Sequence, residues 1–154
     1  MPVLVAMRGR RAPTLARHLR RKAARLLDAL HLDTAELSLV LVSDAVMHDL
    51  NHRWRGKNKT TDVLSFPQHD RVEETVRRPA RTPTGAERLL GDVVISVDTA
   101  RKQAAERGHT LGDEAERLLV HGVLHLIGYD HERSAVEARR MQRKERACLR
   151  ALGA

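Results

Sequence analysis

The chain has 154 residues, enough to bury a core without a disulfide or cofactor and short enough that one domain over 1–154 is expected. Its formal charge is +8, and arginine outnumbers lysine 23 to 5. The planar guanidinium pairs bidentately with phosphate, so a polyanion is the natural partner, with a merely soluble basic surface as the competing reading. A single cysteine, Cys148, excludes an internal disulfide and reads as a buried thiol. No apolar run is long enough to span a bilayer, and arginines follow the short Val3 to Met7 stretch where a cleavage site would stand. A cytoplasmic protein with neither signal peptide nor membrane anchor is therefore expected. Trp54, Phe66 and Tyr129 are the only aromatic residues, which leaves little for base stacking.

In chain order, Val3 to Met7 reads as a short strand. From Thr14 the residues Leu15, Leu19, Ala23, Leu26, Leu27 and Leu30 fall at helical spacing, with Pro13 where a first turn tolerates it. Between Arg8 and Arg25 stand eight Lys or Arg and no acid, so the outer face of this helix is either solvated or polyanion-binding. Leu37 to Val42 is an apolar run of strand length, and Ser43 with Asp44 begins a helix that runs to about Arg55 and stops at Gly56. Val63 to Phe66 is a third strand, ended by Pro67, and Val93 to Val97 a fourth. Between them residues 68–89 show no period, contain Pro79 and Pro83, and read as a long mobile loop. Three helices follow, over about Asp98 to Arg107, Leu111 to Ile127 and Ala135 to Leu152. Thr110-x-x-Asp113 resembles a capping box and Ser134-x-x-Glu137 has its full form. This order predicts an α+β fold, a mixed four-stranded sheet with about five helices in a single domain.

The strongest chemical signal is H-x3-H-x5-H at His121, His125 and His131. The first two are one helical turn apart on one face, and Gly128 permits the reversal that carries His131 back to them. Three imidazoles without thiolates suit one Zn²⁺ per chain, and three protein ligands leave the fourth position open, as in catalytic sites. The plainer reading is a pair of core or partner-contact histidines. The spacing is that of a zincin-like metal-site helix of the metzincin kind, but the glutamate that would serve as general base is Gly122. That disfavours a metallopeptidase or similar zinc hydrolase. It leaves other chemistry open, because a zinc-bound water titrates near about 7 without a strong protein base. Asp130 is either a weak base behind the site or a turn-capping residue.

A zinc acting on an anion needs cations to hold it. Arg53, Arg55, Lys57 and Lys59 stand close together with no acid among them, just before an apolar strand, and Arg53, Lys57 and Lys59 are candidates for substrate binding. The competing reading is that cations simply suit the C-terminus of a helix.

The tract from Leu50-Asn51 through Arg55 to Thr61-Asp62-Val63-Leu64-Ser65-Phe66-Pro67, then Leu90-Gly91-Asp92-Val93-Val94-Ile95-Ser96, then His121-Gly122 to Asp130-His131, resembles the YbeY family of bacterial rRNA maturation factors. The likeness runs in order from about Glu36 to His131; residues 1–35 match only in pattern. It implies a zinc-dependent, single-strand-specific endoribonuclease of small-subunit rRNA maturation and ribosome quality control. It also implies zinc ligation by His121, His125 and His131, with Arg55 and His121 as catalytic residues. Single-stranded rRNA and the small ribosomal subunit or its proteins are the implied partners. Either water or the RNA 2′-hydroxyl can be the nucleophile. The rival is a non-catalytic assembly factor that binds rRNA or a ribosomal protein, with zinc fixing the C-terminal helices.

Overall fold

A computed structural model describes residues 3–68 and 88–153. In it β1 (Val3–Arg8), α1 (Pro13–Ala29), β2 (Ala35–Val42), α2 (Asp44–Arg55), β3 (Val63–Pro67), β4 (Arg88–Ser96), α3 (Val97–Arg107), α4 (Leu111–Leu126) and α5 (Ala135–Ala151) follow in chain order. The four strands form one sheet in the order β1-β2-β4-β3. β1 and β4 lie parallel to the central β2, while β3 runs antiparallel to β4, so the sheet is mixed as expected of this α+β fold.

Both faces of β2 are covered, which is why it reads as a continuous apolar run. Leu37, Leu39 and Leu41, with Val93 and Ile95 of β4, face a core built from α1, α3, α4 and α5, including Leu19, Leu26, Leu118, Leu119 and Cys148. Val40, Val42 and Val94, with Leu64 and Phe66 of β3, face α2 through Met47 and Leu50. Cys148 is the buried thiol expected, and burial pushes its pKa up. No helix among the described residues is long and apolar enough to cross a membrane.

The predicted loop over 68–89 lies for the most part outside the described residues. Its last two positions do not belong to a loop: β4 begins at Arg88, where Arg88 pairs with Ala35 and Leu89 with Glu36. Backbone pairing to β2 sets that boundary and leaves no trace in side-chain periodicity. Val97 likewise leaves the strand for the helix, because the Ser96 hydroxyl accepts from the Thr99 N–H and caps α3.

Candidate metal centre and cationic cleft

α4 carries His121 and His125, and it lies very close to the sheet. A Cβ built at Gly122 would sit 2.7 Å from Val93 Cγ1 and 3.2 Å from Ser65 Oγ, and the Gly122 carbonyl accepts a 2.9 Å hydrogen bond from the Ser65 hydroxyl. The position where a metzincin has its glutamate is thus filled by the sheet. Gly122 is a packing residue as much as a missing base.

After Leu126 the chain reverses through Gly128, whose φ is +110°, while the Tyr129 N–H donates back to the Leu124 carbonyl at 3.0 Å. Asp130 closes the turn, its carboxylate accepting from the Glu132 N–H at 2.9 Å, and this is the turn role of the two weighed for it. His131 returns to the helical pair. The three ring centroids stand 4.9, 5.0 and 5.1 Å apart. One ring nitrogen from each lies within 4.8 Å of the others, the one such three-residue group among the described residues.

The arrangement fits a small cation. His125 Nε2 and His131 Nδ1 are 3.1 Å apart. Two nitrogens bound tetrahedrally at about 2.0–2.1 Å would be separated by about 3.3–3.4 Å. Burial first, and then charge on the His121 and His131 rings, lowers the pKa of His125 and so favours the neutral imidazole, the form that ligates. His121 has a partner that local spacing gave no sign of. Its Nδ1 lies 2.7 Å from Glu145 Oε2 on α5, so the carboxylate accepts the Nδ1 proton and leaves Nε2 for a metal.

The second constellation meets the first across a cleft of about 330 Å³, lined by His121, His125 and His131 and by Arg55, Lys57 and Lys59. Arg55 ends α2, and Gly56, with φ 70°, turns the chain into the lysine loop. The loop is tied down in several places. Buried Asn51 donates from Nδ2 to the Lys59 carbonyl at 2.9 Å, His48 Nε2 meets Asn58 Oδ1 at 2.8 Å, and the Lys57 N–H donates to the Asn51 carbonyl. Val63, Leu64, Ser65 and Pro67 of β3 form the wall between loop and helix. Arg53 is placed elsewhere: it is exposed, faces Asp49 at 3.5 Å, and lies over the Trp54 ring at 5.7 Å. Asp62 and Glu132 also line the cleft and were not singled out from the sequence. The Asp62 carboxylate accepts from the Val63 N–H at 2.8 Å, a local turn contact with no distinctive spacing.

Buried carboxylates brace the far end of α4. Glu114 is fully buried, and although burial raises its pKa, hydrogen bonds from Arg117 and His109 hold it below the ordinary carboxylate value. Glu116 meets His18 of α1 at 2.7 Å.

Fold and site together define an α+β protein in which three convergent imidazoles face a cationic cleft at the edge of a mixed sheet. Residues 9–153 match the family Endoribonuclease YbeY, and the chain belongs to that family. Endoribonuclease YbeY of Anaeromyxobacter sp. strain Fw109-5 is 46% identical over 153 residues, covering 99% of this chain and 73% of that protein. Its counterpart in Anaeromyxobacter dehalogenans strain 2CP-C is 50% identical over 138 residues, covering 90% of this chain and 65% of that one. The solution structure of TM1509 from Thermotoga maritima superposes with a TM-score of 0.63 at 25% identity, covering 97% of this chain and 89% of that one.

Proposed function

We propose that the protein is a zinc-dependent, single-strand-specific endoribonuclease that acts in the cytoplasm in small-subunit rRNA maturation and ribosome quality control. The observation that carries this reading is the shared cleft, which sets His121, His125 and His131 opposite Arg55, Lys57 and Lys59. Zinc bound by the three imidazoles would supply Lewis acidity for phosphodiester hydrolysis. Arg55 holds the scissile phosphate and offsets its developing charge, while Lys57 and Lys59 bind neighbouring phosphates. Glu145 keeps the His121 ring oriented, and the Gly56 turn with its Asn51 clamp keeps the cations from swinging away. The low aromatic content assigns affinity to phosphate contacts rather than to base stacking.

The test is cleavage of a labelled single-stranded rRNA fragment by metal-quantified wild type, Arg55→Ala and His121→Ala. The expected outcome is loss of cutting with zinc retained in Arg55→Ala and with zinc lost in His121→Ala. Equal cutting by all three would assign the activity to a contaminant. The non-catalytic assembly factor would then be the better account.

A further inference from the structure

A ridge of arginines on α5 plays no part in the cleft. Arg139, Arg143, Arg146 and Arg150 occur at i, i+4, i+7 and i+11, the spacing that holds side chains on one line of a helix, and all four are exposed. At about 1.5 Å per residue the line is about 16 Å long. On the opposite side of the helix Met141 and Cys148 are buried in the core. None of the four arginines has an acidic partner among the described residues. The two acids of α5 stand off the line: Glu137 faces Arg140 at 3.5 Å and Glu145 faces His121 at 2.7 Å. Like charges one turn apart oppose helix formation, so a helix face serving only solubility would be better made with acids interleaved.

The ridge is placed to serve the site. Arg140, beside its first member, lies 4.9 Å over the ring of Tyr129, in the turn that carries His131. The inner face of the same helix reaches His121 through Glu145. The ridge thus runs along the outer side of a helix whose other contacts reach His121 and the turn that carries His131. We propose that it binds the phosphate backbone of the RNA outside the cleft, holding the strand that flanks the segment to be cut. This rests on the reading of RNA as substrate, and it adds a contact surface that the cleft does not contain.

The test uses the full chain and fluorescence anisotropy at several salt concentrations. Two labelled single-stranded RNAs are compared, one short enough to occupy only the cleft and one extended on both sides. The R139Q/R143Q/R146Q/R150Q protein should bind the longer RNA about tenfold or more weakly, with a log Kd against log salt slope shallower by about 3, since each phosphate contact on a single strand contributes about 0.7. It should bind the short RNA as wild type does, and the corresponding four-lysine protein should keep the wild-type slope. The double variants R139Q/R143Q and R146Q/R150Q should each lose about half of the slope change, which keeps the question open to test if the quadruple variant does not fold. An unchanged Kd and slope for the longer RNA would overturn the ridge, as would equal weakening of both RNAs. Cutting is scored separately: a wild type that binds through the ridge but cuts neither RNA removes the nuclease reading alone.

Discussion

Two single residues decide how the histidine site is built. Gly122 lets α4 approach the sheet until the position of a side chain coincides with Val93 and Ser65. Alanine is ordinarily favoured over glycine inside a helix by about 1 kcal/mol. Here the sign should reverse. Gly122→Ala should destabilise the fold by about 1–3 kcal/mol, as expected of overpacking, and chemical denaturation would show it as a lower midpoint with an unchanged slope. Glu145 acts from the other side of the site. Glu145→Gln keeps the shape of the contact and removes its charge, and it should weaken metal binding by about 10–100-fold in a chelator-competition titration while leaving the helical spectrum unchanged. A metal affinity equal to that of the wild type would mean that Glu145 only packs α5 against α4.

Between elements, a compact polar knot holds the cationic loop in place. Asp44, at the start of α2, accepts 2.6 Å hydrogen bonds from the Ser96 and Thr99 hydroxyls at the start of α3 and a longer one from Thr60 in the loop. Burial raises its pKa, but these hydroxyls, with Lys102, outweigh that and leave it below its ordinary value of 3.8. A carboxyl lowered in the folded state contributes stability that is complete above its unfolded pKa and is lost as pH falls through the folded one. Wild type should therefore lose stability on acidification below about pH 4, and Asp44→Asn should lack that part of the dependence, as urea titrations between pH 7 and pH 3 would show. Most of these elements are legible in the sequence. The strands of the central sheet read as apolar runs, and Ser43, Thr110 and Ser134 cap the helices that follow them. The start of β4 at Arg88 was not legible, because backbone pairing with Ala35 sets it.

At the scale of the whole molecule, a bound metal would join α4, its C-terminal turn and, through Glu145, α5. Ligand that binds only the folded state stabilises it by RT ln(1 + [L]/Kd), about 2.7 kcal/mol at a free concentration of 100 Kd. Zinc at that excess should raise the unfolding midpoint, and a chelator should return it to the metal-free value; His121→Ala should show neither shift. Calorimetry with and without metal would check both.

The imidazole triad was legible because its geometry is local: one helical turn separates His121 from His125, and a glycine reversal brings back His131. The cation run of Arg55, Lys57 and Lys59 was equally visible as a run. Charge and spacing did not tell Arg53 from its neighbours, since it faces Asp49 while Arg55, which the family resemblance had set apart, lines the cleft with Lys57 and Lys59. Nor did it join Glu145 to His121 across 24 residues, or show that Gly122 lies against Val93. Helix period and turn chemistry are short-range properties written in neighbouring residues. That the end of α2 and the histidines of α4, packed on opposite faces of the sheet, line one cleft depends on β3 adding antiparallel to β4 at its edge, and only tertiary packing decides that.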